Sequence, residues 1–345
     1  MTEKEMENKK RSEIHNLQII RGIAAMMVVT NHLWGTVFGG IFKFNGGIGV
    51  DIFFVLSGFL MVLTQNNARG PVSFLTGRIG RIYPMYILIS LPLIIMMVEL
   101  DNPFKLLSNL FLIPTYGFFQ HRLANDPAWT LVYEMIFYVM FSAALVISRK
   151  RAIACMIVCF MLTASAVAFT FYIPPQPRYG WINIGYILGD NLLIDFGMGC
   201  MLAVIYDNLK IQKRMGFYFF LISVIAVIYV SLLHISGARI IKFGIPALLI
   251  IILAIYSRSG NCIIFKTLHV VGDASYSIYL SHLYFALAMH NSVNVKNIAS
   301  ANAEIATLIF TGMCVAFGLF INITVEKPIM KYMADRKRQR KEATA

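Results

Sequence analysis

The chain has 345 residues, 58% of them hydrophobic and only 14% charged, with Lys and Arg outnumbering Asp and Glu by 30 to 17. A mean hydropathy of +0.69 excludes an ordinary soluble globule and fits a polytopic membrane protein. In a soluble domain the net charge of +13 would point to nucleic acid; here it reads as membrane orientation plus attraction to anionic lipid, so no nucleic-acid partner is expected.

Apolar stretches long enough to span about 30 Å of hydrocarbon fall at 16–38, 47–65, 82–100, 128–148, 152–173, 187–206, 216–235, 240–257, 274–291 and 303–325. The expected fold class is therefore all-α, a bundle of about ten transmembrane helices with both termini cytoplasmic. Residues 104–119 read as re-entrant or interfacial, and Pro246 interrupts the eighth span. Charge placement is an independent test, because cytoplasmic loops are enriched in Lys and Arg. With the N-terminus inside, the inner segments hold 22 basic residues and the outer ones 7, and Arg21 is the remaining one of the 30. The organisation expected is a cytoplasmic leader over 1–15, one membrane domain over 16–330 and a basic cytoplasmic tail over 331–345. The leader MTEKEMENKKR is mixed in charge and carries no small-residue cleavage pattern, so no cleavable signal peptide is expected.

The first span, LQIIRGIAAMMVVTNHLWG, carries Arg21 and His32. Eleven residues of α-helix turn about 1,100°, three turns plus roughly 20°, and rise about 16 Å, so the two side chains share a face about half a bilayer apart. A cation and an imidazole held in hydrocarbon are costly, which makes each a functional candidate. The plainer alternative has Arg21 snorkelling to the headgroups and His32 bonded to a neighbouring helix. The second span, GGIGVDIFFVLSGFLM, places Asp51 near its outer end, where a carboxylate needs a partner from the first helix or the outer loop, or else a helix dipole. Ser57 and Gly58 read as helix packing. In TGRIGRIYPMY, Arg78 and Arg81 stand one turn apart where the third helix is entered, able to clamp a phosphate or only to enforce orientation, and Pro84 fits a first helical turn.

The fourth span, DPAWTLVYEMIFYVMF, carries Glu134 and, one turn on, Tyr138. A glutamate in so apolar a setting is neutral or paired with a cation, and both states suit proton transfer or the holding of a histidine. Asp190 reads as interfacial, and Asp195 lies deeper in the sixth span. In the ninth span, GDASYSIYLSHLYF, Ser275, Tyr279 and His282 fall on one face, with His282 as a supporting group. Tyr179 and Trp181 read as outer interface anchors. The five cysteines form no CxxC pair, so neither a disulfide framework nor a metal site is expected.

Taken in order, Arg21-x10-His32, GVDIFFVLSGFLM at 49–61, Arg78-x2-Arg81 with Tyr83-Pro84, AWTLVYEMIFY at 128–138, YSIYLSHLYF at 276–285 and Glu326-Lys327-Pro328 resemble the membrane acyltransferase-3 family. The resemblance runs from about residue 16 to 330. It implies a ten-helix bundle in the bacterial cytoplasmic membrane that moves an acyl group, usually acetyl, from cytoplasmic acyl-CoA to a hydroxyl of a cell-surface or lipid-linked glycan. It further implies His32 as the essential histidine, Arg21 as its paired arginine, Arg78 and Arg81 as the cytoplasmic arginine pair and Glu134 as the glutamate of the tryptophan-containing motif. Thr130 stands where the family usually has serine. On this reading His32, Glu134 and Arg21 are catalytic, Arg78, Arg81 and Arg21 bind acetyl-CoA, and Asp51, Tyr138, His282 and Trp129 support them. His32 acts as general base or as a transient acyl carrier, and Glu134 orients its imidazole. The partners implied are acyl-CoA, the acceptor glycan, membrane lipid and, compatibly, a second copy of the chain. The rival from another class is a proton-coupled transporter or flippase of a glycan-related substrate, using Arg21, Asp51, Glu134, Asp195 and His282 as its path.

Overall fold

With no water in the bilayer core, apolar segments must satisfy their own backbone groups. In the computed structural model the described residues are mostly helical, and their β-pairing is confined to isolated bridges such as Thr115 with Asn183. These described residues are 3–38, 47–65, 70–98, 102–117, 119, 121–174, 181–208, 215–232, 237–260, 262–291 and 293–342. Tyr179, named above, lies outside them, as do six of the cations in the charge count, Lys43, Arg69, Arg178, Lys210, Lys213 and Arg214.

The helices are α1 (Glu3–Phe38), α2 (Gly47–Thr64), α3 (Pro71–Met97), α4 (Pro103–Phe111), α5 (Trp129–Ile147), α6 (Arg151–Ala168), α7 (Ile184–Gly189), α8 (Leu192–Asn208), α9 (Phe217–Leu232), α10 (Ile245–Ile255), α11 (Ile263–Asp273), α12 (Ser275–Asn291), α13 (Val293–Ile321) and α14 (Lys327–Glu342). A 3-10 turn, Asp126–Ala128, leads into α5, and π-helical turns at Ile240–Gly244 and Asn322–Glu326 precede α10 and α14. Among the described residues, five segments are long and apolar enough to cross a membrane, namely Gly47–Thr64, Pro71–Met97, Asp126–Ile147, Arg151–Ala168 and Ile305–Arg336. Three shorter apolar helices, Leu192–Tyr206, Phe217–Val230 and Ile240–Ile255, accompany them. The chain is a multi-pass membrane protein, and large apolar side chains such as Met96, Phe160, Phe171, Ile222 and Phe320 face outward.

Several boundaries differ from the sequence reading. The leader continues into α1 without a break. The third helix starts at Pro71, which takes the first-turn position; Pro84 and Pro92 lie inside it, and Arg78 and Arg81 lie on its body instead of at its entrance. The sixth span is broken at Asp190, because that carboxylate accepts the Leu192 N–H at 3.1 Å and starts a new helix. The apolar part of 104–119 resolves into the short α4, closed by Leu112 in the left-handed conformation. The short helix α11 was not anticipated, since eleven residues carry too weak a periodic signal.

The core gathers around α2, α5 and α8, where Phe54, Phe59, Tyr133, Phe137, Phe141 and Phe196 are fully buried. The rings of Phe137 and Phe196 stack at 4.1 Å. α2 and α8 approach backbone to backbone, because Gly58 faces the Phe196 carbonyl and Gly199 the Val55 carbonyl with no room for a Cβ. The same device joins α1 to α11, where Gly272 packs on the Gln18 carbonyl. That contact sets Gln18 and Asp273 side by side.

Candidate functional site

A cavity of about 440 Å³ opens between α1, α2, α3, α5, α12 and the Asn322–Glu326 turn. Its volume is in the range of small-molecule sites. Arg21, Arg78, Arg81, Glu134 and Tyr138 all line it, although they come from three helices well separated in sequence. Gln18, Ser57, Thr130, Asp273, Ser275, Tyr276, Tyr279, Asn322, Glu326 and Lys327 complete its polar wall.

Each charged group has a defined position. Arg21, half-buried, donates from Nη1 to Gln18 Oε1 at 2.9 Å, and Gln18 Nε2 donates to Asp273 Oδ1 at 3.0 Å. Lys327 Nζ stands 3.8 Å from the same carboxylate. Behind Asp273, His269 lies 3.8 Å away and bonds His15 at 2.7 Å. Arg78 donates to Thr64 Oγ1 at 2.8 Å and lies 5.5 Å from the ring centres of both Phe74 and Tyr138. Arg81 is exposed to the cavity with no hydrogen-bond or ion-pair partner among the described residues.

The acidic side is just as specific. Glu134 Oε1 accepts from Ser57 at 2.7 Å, so Ser57 is more than a packing residue, whereas Gly58 is the packing residue expected. The π-turn brings two residues of the closing motif's neighbourhood to the cavity. Glu326 Oε2 accepts from Ser277 at 2.6 Å and from Asn322 at 2.8 Å, and Asn322 also donates to the Asp273 carbonyl at 3.1 Å. At the far end, Thr130 Oγ1 and the Tyr279 hydroxyl are 2.8 Å apart, and Tyr279 donates to the Pro127 carbonyl at 2.7 Å.

His32 and His282 do not line this cavity. His282 is buried immediately beyond Tyr279, with ring centres 5.7 Å apart, and His32 lies against it at 4.9 Å with its own side chain exposed. Glu134 therefore does not orient His32: its hydrogen bond goes to Ser57, while His32 Nδ1 meets the Val28 carbonyl at 2.9 Å and His282 Nε2 at 3.3 Å. Asp126, in the turn before α5, is a carboxylate within electrostatic reach of His32.

Asp51 is fully buried away from the cavity and held by Arg239, with Nε and Nη2 donating at 3.1 and 2.7 Å. That bidentate pair joins α2 to the residue before the Ile240 π-turn and answers the question of Asp51's partner. Asp195 is 1% exposed, and neither of its oxygens has a hydrogen-bond partner among the described residues. Trp129 packs on Trp181 with ring centres 5.2 Å apart and on Tyr133 at the same distance. Sequence reasoning missed Gln18, Asp273, Tyr276 and Asn322 as cavity groups. Gln18 carried a signal, being a polar residue one turn before Arg21 in an apolar run.

A family model described as an acyltransferase domain matches residues 14–323. The exopolysaccharide production protein ExoZ of Rhizobium meliloti is 23% identical over 305 residues, covering 83% of this chain and 90% of ExoZ. O-acetyltransferase OatA of Staphylococcus aureus is 24% identical across 91% of this chain and 57% of OatA. The chain thus spans nearly all of one relative and little more than half of the other. No solved structure matches it.

Proposed function

The chain belongs to the acyltransferase family whose model spans residues 14–323, and from that premise we propose that it moves an acyl group, acetyl in the first instance, from acyl-CoA to a hydroxyl of a cell-surface or lipid-linked glycan. The single observation that carries this reading is the cavity that collects Arg21, Arg78 and Arg81 and leaves Arg81 without a partner among the described residues. A bare guanidinium at a concave site is a ready ligand for phosphate. The cavity suits the pantetheine arm and a short acyl group, with the phosphates of CoA held at the arginines.

On the proposed topology, ten spans in the bacterial cytoplasmic membrane with both ends inside, the arginines face the cytoplasm where acyl-CoA is found. His32 then lies toward the acceptor. Transfer takes place where the Thr130–Tyr279 end of the cavity approaches the His282–His32 pair. The acceptor hydroxyl gives its proton to the His32 imidazole as its oxygen bonds the thioester carbonyl carbon. The carbon–sulfur bond breaks, and the proton passes to the departing CoA thiolate. In the two-step version His32 takes the acyl group as the carbon–sulfur bond breaks and CoA leaves as the thiolate; the hydroxyl oxygen then takes the acyl group from the imidazole, and the hydroxyl proton goes to the thiolate. Arg21, bonded to Gln18 but still open to the cavity, is placed to steady the thioester oxygen as it gains charge.

The relatives' names agree with this chemistry, one being an O-acetyltransferase and the other an exopolysaccharide production protein. The test uses purified full-length protein in nanodiscs with acetyl-CoA and a lipid-linked glycan. Release of CoA thiol together with a mass gain of one acetyl on the glycan is expected. Transport of the glycan without thiol release would overturn the proposal.

A further inference from the structure

We propose that His282 is a positioning residue that fixes the tautomer of His32, leaving Nε2 of His32 as the bare, proton-accepting nitrogen; this rests on the reading of His32 as the reacting imidazole.

The argument runs through the acceptors around each ring. His282 Nδ1 lies 2.5 Å from the carbonyl oxygen of Tyr279, one turn earlier on α12. A carbonyl only accepts, so His282 Nδ1 carries the hydrogen. His282 is 0% exposed, and no carboxylate bonds it among the described residues, so burial keeps the ring neutral and its Nε2 presents a lone pair. That lone pair faces His32 Nδ1 at 3.3 Å. The other neighbour of His32 Nδ1 is the Val28 carbonyl at 2.9 Å, again an acceptor. Two acceptors at one nitrogen require a hydrogen on it. His32 Nδ1 therefore donates to both, and the neutral ring has its only free lone pair on Nε2.

The consequence is chemical. In hydrolase triads a carboxylate holds the histidine tautomer; here a second, neutral imidazole fills that position, and the nearby Asp126 acts only through space. When His32 Nε2 takes a proton, the Nδ1–H bonds to His282 and Val28 are already in place. His282 is itself held by the helix backbone, so the pair needs no rearrangement during the reaction. The buried ring stays fixed while the exposed ring meets substrate.

The experiment is nitrogen NMR of 15N-histidine-labelled protein in nanodiscs, with the His32 resonances identified by their loss in His32→Ala. The expected result is a protonated Nδ1 and a bare Nε2 on His32 at neutral pH; a protonated Nε2 overturns the proposal. Steady-state kinetics provide the second readout. His282→Phe removes the acceptor and should lower kcat by about 10- to 100-fold, the usual cost of losing a group that orients a reacting histidine, with the KM for acetyl-CoA unchanged. His282→Gln can donate to the Tyr279 carbonyl and accept from His32, and should restore most of the rate. A His282→Phe protein with the wild-type kcat, beside an inactive His32→Ala, overturns the tautomer assignment alone. A fully active His32→Ala overturns the reading of His32 itself.

Discussion

Arg21 and His32 ride on one helix eleven residues apart, yet their surroundings have little in common. Arg21 belongs to a bonded, charged network that runs through Gln18 to Asp273 and Lys327 around a cavity. His32 lies outside that cavity and is met by one backbone carbonyl and a neutral second imidazole. The first environment suits recognition of an anion, because opposite charges and open donors converge there. The second suits proton transfer under the proposed tautomer, which leaves a single lone pair free in a fixed orientation. Under the proposed function, the two polar sites of α1 divide donor binding from group transfer, with Thr130 and Tyr279 at the seam between them.

This division can be broken most forcefully at His32. In His32→Ala, acyl transfer should fall by about 10³-fold while membrane levels hold, measured as O-acetyl content of the product glycan. A change at the Asp51–Arg239 pair should behave in the opposite way. Arg239→Ala leaves a fully buried carboxylate without its partner and should cost about 3 kcal/mol of stability. A lower melting temperature in detergent is expected, with kcat and KM per folded molecule unchanged. Arg81→Ala sharpens the donor side: the KM for acetyl-CoA should rise about tenfold, as for one lost charge-assisted contact. Because Arg81 bonds no described residue, thermal stability should not move. Ser57→Ala is the smallest perturbation, freeing Glu134 from its 2.7 Å hydrogen bond. Loss of one such bond is worth about 1 kcal/mol, so the turnover measured by thiol release should drop about fivefold.

What the sequence made legible was the class of residue that hydrocarbon does not tolerate without a reason. Arg21, Arg78, Arg81, Glu134 and Tyr138 stood out against apolar spans, and the fold brings all five to one cavity. Their partners were not legible, because partners are set by packing across long stretches of chain. Asp51 and Arg239 are 188 positions apart, and nothing local to either names the other. Gln18 and Asp273 meet only because Gly272 lets α1 and α11 touch. The assignment of Glu134 to His32 failed for a related reason. A helix face predicts which residues share a side, but Arg21 and His32 share one while different neighbours cover its two ends. Helix boundaries also slipped where a side chain intervened, as at Asp190, whose carboxylate caps the start of a new helix.

The most direct test is to measure acetyl-CoA binding and acetyl transfer together in purified His32→Ala protein. An unchanged Kd for acetyl-CoA with transfer abolished is the predicted result, since the donor site and the transferring imidazole are separate. Undiminished transfer to the glycan in that protein would contradict it.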